Sequence, residues 1–220
     1  MGLRAAVRGR YHPHRQALPA PGGGKEKAAL DDYPREDHRH GIIHDCLPTP
    51  EGIQICRDYH IQMPMQSAFI GWKQEPDDYL EHILGHDRLE KLNPIRTFRD
   101  NGIVVSFGSD APCTTPDPIA WMDRAVNNDN AGQAVSVQDA LRMCTYNGAW
   151  AAFDEQERGS LEAGKIADMA VLSENPYTVP KDKLSGLRVE RLYLSGKSYE
   201  SCRESILPMM LRGLTSRNKA

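Results

Sequence analysis

The chain has 220 residues, enough for one large domain or two small ones, since a domain usually takes about 100–200 residues. Lys plus Arg number 27 against 30 Asp plus Glu, and a formal net charge of -3 gives no general pull toward nucleic acid or an anionic membrane. With 40% hydrophobic and 26% charged residues the composition suits a globular chain, and no apolar run approaches the ~18 residues of a membrane span.

In chain order, residues 1–24 carry four arginines, two histidines and no acid, and end in a Pro-Ala-Pro-Gly-Gly-Gly run, so a disordered basic arm is expected. It contains no apolar block of signal-peptide length, and Gly2, Gly9, Pro13 and Pro19 would break the amphipathic helix of an organelle transit peptide. Helix formers over 25–32 predict a helix that stops before Pro34, and Ile42 and Ile43 form a short apolar strand ending on His44 and Asp45. Thr49 and Pro50 suit an N-cap and first-turn proline for a helix to about Asp58. Ile61, Met63 and Met65 then alternate with polar residues into Ser67, and a Trp-, Pro- and charge-rich loop is expected over 71–86.

A helix over 93–101 closes on Gly102, followed by Ile103-Val104-Val105-Ser106-Phe107, the clearest buried strand, which stops at Gly108-Ser109-Asp110. Helices are predicted over 117–127, with Pro118 in the first turn, and over 137–153, where Ser136 and Asp139 make an S-x-x-D capping pattern. Strands return over 169–172 and 189–194, with turns at Asn175-Pro176 and Ser195-Gly196. This order argues for an α/β chain of parallel βαβ units with a small β module appended, and three parallel strands would leave two sheet edges unpaired.

Asp110 is the strongest candidate for chemistry. It ends an apolar strand in a glycine-flanked turn, the carboxyl edge where α/β proteins assemble sites, and a carboxylate there can ligate a metal and take a proton from water. The alternative is that it only caps the turn. His44 also ends an apolar strand and could share that rim. His38 and His40 stand at strand spacing, but in a charged stretch that argues against a buried metal pair; His12 and His14 lie in the arm, and His82 and His86 are expected to face solvent. Cys113 lacks a nearby histidine to activate it, no G-x-S-x-G elbow is present, and Gly22-Gly23-Gly24 lacks the Lys and Ser/Thr of a phosphate loop. The five cysteines, Cys46, Cys56, Cys113, Cys144 and Cys202, are odd in number and widely spaced, which reads as free thiols in a reducing, cytoplasmic compartment.

With these residues in view, the stretch from Val104 through Gly108-Ser109-Asp110-Ala111-Pro112 resembles the metal-dependent amidohydrolase superfamily, specifically its third domain type of long amide hydrolases. Tyr146-Asn147-Gly148-Ala149-Trp150-Ala151-Ala152-Phe153 is similar to the family's helix after the barrel, and Gly159-Ser160-Leu161-Glu162-Ala163-Gly164-Lys165-Ile166-Ala167-Asp168 to the entry into its β module. The resemblance runs over roughly residues 25–205. It implies the C-terminal part of a TIM-type (β/α)8 barrel, with strand six ending at His44, strand seven running through Met63–Ser67 and strand eight ending at Asp110, plus a small β-sandwich-like module. The implied divisions are an arm to residue 24, a partial barrel over 25–157, the β module over 158–205 and a tail.

By the same resemblance His44 and Asp110 would hold a divalent metal, zinc first, and Asp110 would activate the attacking water. The family's Arg-Ile-Glu-His-Ala pattern at strand six is replaced here by Gly41-Ile42-Ile43-His44-Asp45, which keeps the histidine and loses the Arg and Glu. The paired histidines of strand one, the bridging lysine and the strand-five histidine have no counterpart. The expectation is a truncated copy of a hydrolase of non-peptide carbon–nitrogen bonds in small molecules, with no nucleic-acid or membrane partner. The competing reading is a non-catalytic remnant that assembles, as a homo-oligomer for instance, through its open sheet edges.

Overall fold

A computed structural model of the chain describes residues 22–199. Most of the expected arm and all of the tail therefore lie outside the described residues, as does Cys202. The helix expected over 25–32 is present as α1 (Gly24–Asp32). It starts on Gly23, whose φ of 85° suits glycine, and whose missing side chain lets α1 approach the next helix, since a Cβ would stand 3.1 Å from Cys56 Sγ. That helix, α2 (Pro50–Asp58), begins as the sequence dictates: the Thr49 hydroxyl accepts the Gly52 N–H at 3.1 Å and Pro50 fills the first turn.

Strand β1 (Met63–Met65) carries the alternation read in the sequence, with Met63 and Met65 fully buried. A single 3-10 turn (Ser67–Phe69) follows it, held to the outer layer by the Ser67 hydroxyl donating to Trp121 O at 2.9 Å. The next segment departs from expectation. In place of a loop over 71–86 there are two helices, α3 (Asp77–Leu84) and α4 (His86–Leu89), divided by Gly85 at φ 79°. Asp77 and Asp78 lie in the first turn of α3, where carboxylates favour a helix N-terminus, and Leu80 anchors it by burial.

Helix α5 (Ile95–Asp100) leads through Gly102 to strand β2 (Val105–Phe107), which is shorter than the apolar run that announced it. β1 and β2 pair in parallel, Met63 opposite Val105 and Met65 opposite Phe107. The third parallel member is only a bridge, Gly41 with Gln62, not a full strand. Its ladder is nonetheless continuous: Gln62 N–H donates to His40 O at 2.8 Å, Ile42 N–H to Gln62 O at 3.0 Å, and His44 N–H to Pro64 O at 3.4 Å. The spatial order is thus segment 40–44, β1, β2, with one apolar layer beneath built from Cys56, Ile61, Ile95 and Phe98.

Helix α6 (Pro118–Val126) is capped by the Asp117 carboxylate, which accepts from Ile119 N–H at 3.0 Å and Ala120 N–H at 3.3 Å. The single helix expected over 137–153 is two, α7 (Val137–Cys144) and α8 (Tyr146–Ala151). Thr145 breaks it with φ −123° and ψ −88° while its hydroxyl donates back to Leu141 O at 2.7 Å, the local bonding by which threonine competes with helical geometry. From α8, the Asn147 Nδ2 donates to Val105 O at 2.7 Å, so the outer edge of β2 is partly satisfied by a side chain and is less open than a bare strand would be.

Arg39 fastens the start of the 40–44 segment to the end of α8. Its guanidinium makes two 2.7 Å bonds to the Glu155 carboxylate, bonds to Asp37 at 2.8 and 2.9 Å, and donates to Trp150 O, while lying 4.6 Å from the Trp150 ring and 4.1 Å from that of Phe153.

The C-terminal part of the described chain is one antiparallel sheet in the order β3 (Met169–Leu172), β4 (Val189–Leu194), β5 (Lys197–Tyr199). Ser195 (φ 52°) and Gly196 (φ 76°) form the tight hairpin between β4 and β5. A second packed sheet, which a sandwich requires, is absent among the described residues. No helix is long and apolar enough to cross a membrane among the described residues.

Candidate active site

Two parallel neighbours of β1 deliver the two residues singled out in the sequence. His44 ends the 40–44 segment and Asp110 follows β2 by three residues, so both emerge at the carboxyl end of the same small sheet. Each turns away from its strand in left-handed backbone, His44 at φ 62° and Asp110 at φ 52°, a conformation that costs a non-glycine residue about 1–3 kcal/mol and is most readily tolerated by Asp, Asn and His. The turns bring His44 Nε2 to 3.5 Å from Asp110 Oδ2. The turn after β2 does not need the Asp110 carboxylate to hold it: the Ser109 hydroxyl accepts the Ala111 N–H at 3.1 Å, Thr114 Oγ1 donates to Ser109 O, and Cys113 N–H donates to Asp110 O at 2.9 Å.

The imidazole is half-buried and the carboxylate more open, with side-chain exposures of 28% and 45%. The other ring nitrogen, His44 Nδ1, is buried without a hydrogen-bond partner among the described residues. Phe69 stacks on the imidazole with centroids 5.7 Å apart and 22° between planes, and Trp72 packs against Phe69 at 5.0 Å. This aromatic wall was not foreseen; the Ala-Phe-Ile and Gly-Trp steps after β1 are the only traces of it in the sequence.

As ligands for a divalent ion, the pair supplies a nitrogen and an oxygen donor of the right kinds, and the unpartnered Nδ1 is the sort of orphaned atom that a ligand or second support would satisfy. The fit is to two protein positions of a metal site. No group of three His, Cys, Asp or Glu side chains that could hold a metal occurs among the described residues.

The other histidines separate from this pair. His38 has both nitrogens occupied: Nδ1 accepts the His40 N–H at 2.9 Å, which makes Nε2 the donor to Tyr59 O at 2.8 Å, and its ring stacks on His40 at 4.7 Å. Burial lowers its pKa, so it is held as a neutral structural group. His86 is exposed and sits between Glu81 at 3.0 Å and Glu90 at 3.5 Å, and His82 is likewise at the surface. A cavity of about 240 Å³ touching His38, Arg39, His60 and Ile103 lies at the amino ends of the strands, away from the rim.

The thiols among the described residues do not offer a nucleophile. Burial pushes Cys46, Cys56 and Cys144 up to about 12, and Cys113, though exposed, is raised by partial desolvation and by Asp110. Asp45, next to His44, is a different kind of group. Desolvation, followed by the charge of Glu26, pushes its carboxyl up to about 6 from 3.8, and its Oδ2 has no partner among the described residues. Well below pH 3.8 it is neutral folded and unfolded alike; as pH rises toward 6 the unfolded chain loses the proton first, so folding weakens by about 3 kcal/mol. Asp45→Asn is therefore expected to stabilise the protein by about that amount near pH 7 and to change little near pH 4, read from urea unfolding at both pH values; equal effects at the two would contradict the assignment.

The sequence model of the amidohydrolase family matches residues 25–199. An N-substituted formamide deformylase of Arthrobacter pascens is 34% identical over 152 residues, which make up 66% of this chain and 26% of that enzyme. Among solved structures, an uncharacterised metal-dependent hydrolase from Pyrococcus furiosus superposes with a TM-score of 0.60 at 22% identity, covering 70% of this chain and 31% of that one. An adenosine deaminase from Xanthomonas campestris with bound zinc gives a TM-score of 0.57 at 18% identity, covering 87% and 45%. The chain thus spans about a quarter of the length of the curated relative and less than half of either structure. The structural likeness is to TIM-barrel proteins of this kind.

Proposed function

Because the chain belongs to the amidohydrolase family, we propose that residues 25–157 are the strand six-to-eight sector of a TIM-type barrel, followed by the family's small β module, and that the activity is metal-dependent hydrolysis of a carbon–nitrogen bond in a small amide-like molecule. The observation that carries this reading is the approach of His44 Nε2 to Asp110 Oδ2, 3.5 Å apart at the carboxyl rim, where this fold builds its sites. The 34% identity to a formamide deformylase supports an N-substituted formamide as the first substrate to try.

His44 and Asp110 would be the two protein ligands, and a divalent ion bound there, zinc first, would polarise the scissile carbonyl and make water a nucleophile near neutral pH. Asp110 takes the proton of the attacking water on Oδ2 and returns it to the departing nitrogen, a step that balances with no other donor. His44 contributes a neutral Nε2 lone pair, and the Phe69 ring stacked on it holds the imidazole plane and keeps water from one of its faces. The open side chain of Asp110 leaves room for substrate to approach from solvent.

The experiment is formate release from N-butylformamide by the purified chain supplied with zinc, cobalt or manganese. Release that stops on adding a chelator and is lost in Asp110→Asn is the expected result; no release with any of the three metals would count against catalysis by this chain.

A further inference from the structure

The amino end of the 40–44 segment is held by a histidine whose ring nitrogens are both committed. His38 Nδ1 faces the His40 N–H at 2.9 Å, and since a backbone N–H can only donate, that nitrogen carries a lone pair. Nε2 faces Tyr59 O at 2.8 Å, and since a carbonyl can only accept, that nitrogen carries the hydrogen. Only the neutral Nε2–H tautomer satisfies both contacts. Arg39, between the two histidines, is in left-handed backbone at φ 48°, the kink that turns the His40 N–H back onto the ring, and the His40 imidazole stacks on that of His38 at 4.7 Å and 24°. His40 is also the first link to β1, its carbonyl accepting the Gln62 N–H at 2.8 Å.

We propose that His38 is an acid-sensitive latch: a proton taken up on Nδ1 breaks its bond to the His40 N–H and frees the 40–44 segment from β1. The proton comes from solvent and occupies the Nδ1 lone pair, so two N–H donors, one of the ring and one of the His40 backbone, then point at each other. Around the ring, Tyr59 O and Asp37 favour the added charge, although the Asp37 carboxylate already holds Arg39 at 2.8 and 2.9 Å. Burial opposes it, and so does like charge on His40 and His60. Of the other titratable groups on the adjoining cavity, Arg57 is paired with Asp58 at 2.9 Å, Cys56 is pushed up to about 12, and Glu36 stands exposed. The outcome, set first by burial, is a pKa lowered from 6.5. The latch is therefore closed above pH 6.5 and weakens as pH falls through it, where the released segment takes the proton first. The clasp from Arg39 to Glu155 keeps its charges over that range, because the guanidinium beside Glu155 holds its carboxyl below the usual value. The segment thus moves about a fixed point, and its far end, His44, parts from Asp110. That last consequence rests on the rim pair being a site; the release itself does not.

The test is amide hydrogen exchange of the isotope-labelled chain at about pH 7.5 and about pH 5, expressed as protection factors so that the intrinsic pH dependence of exchange cancels. Protection of the Ile42, His44 and Gln62 N–H groups, which join the segment to β1, is expected to fall by about tenfold or more at the lower pH. Met63 and Gly108, whose N–H groups join β1 to β2, should keep theirs. His38→Asn offers the N–H two residues on an oxygen that does not titrate, a bond asparagine readily makes in turns, and should abolish the fall. Asp45 titrates in both proteins, so the difference between them reports His38. In the wild-type chain itself, the ring-nitrogen signals of His38 should show the Nε2–H tautomer at the higher pH and proton uptake over the range in which protection is lost. Equal protection at both pH values, an equal fall in His38→Asn, an equal fall at Met63 and Gly108, or a His38 ring that takes its proton while the three amides stay protected would overturn the proposal.

Discussion

Asp110→Asn is expected to lower kcat for formate release from N-butylformamide by about 10²–10⁴-fold, with KM changed far less. The substitution preserves shape and the ability to occupy the turn after β2, whose own bonds come from Ser109 and Thr114. What it removes is the negative charge 3.5 Å from His44 Nε2 and the oxygen that accepts a proton. Loss confined to kcat follows from the assignment of a proton-accepting role, because substrate contacts made equally in ground and transition states are untouched. Steady-state kinetics in a saturating excess of zinc, which keeps the site filled although Asp110→Asn weakens its hold on the metal, decide it: a variant with wild-type kcat would move the base elsewhere.

The largest effect on stability is expected from Arg39→Ala. The ion pair with Glu155 is nearly closed to solvent, with side-chain exposures of 8% and 11%, while Asp37 stands in the open. Removing the guanidinium strands the Glu155 carboxylate, empties the space between the Trp150 and Phe153 rings, and leaves Trp150 O without its donor. Breaking a buried pair from one side costs about 3–5 kcal/mol, and since this one lies just under the surface we take the lower end, about 3 kcal/mol. In a domain of this size that lowers Tm by about 6–12 °C. Arg39→Lys should recover only part of it, because a lysine cannot make the forked bonds to Glu155 or stack between two rings. Thermal unfolding of the three proteins is the measurement; a shift under about 2 °C for Arg39→Ala would mean the clasp is solvated.

Much of the architecture is legible in local chemistry. Thr49-Pro50, Asp117-Pro118 and the Ser136/Asp139 pair mark helix starts because a hydroxyl or carboxylate and a fixed proline φ satisfy the first turn, and all three start the helices they announce. The apolar run before Asp110 and the Met63/Met65 alternation likewise contain their strands, since burial on a parallel sheet selects them. What local reading misses depends on competition or on distance. Asp77-Asp78 reads as loop by charge, yet the same carboxylates favour a helix N-terminus once Leu80 is buried. Thr145 interrupts a stretch of good helix formers through one hydroxyl bond that composition does not display.

The candidate site divides along the same line. That His44 and Asp110 both end strands is in the sequence; that left-handed turns at each bring them within 3.5 Å is a property of the folded sheet. Phe69 against His44, and His38 against Tyr59 O, join residues 21 or more positions apart, and no periodicity predicts such meetings.

The central claim is that His44 and Asp110 together hold a divalent ion. Elemental analysis of the chain after loading with zinc and exhaustive dialysis tests it most directly, alongside His44→Ala and Asp110→Asn. About one zinc per wild-type chain, and little in either variant, is the predicted result. No retained zinc, cobalt or manganese in the wild type, or equal metal in all three proteins, would contradict it.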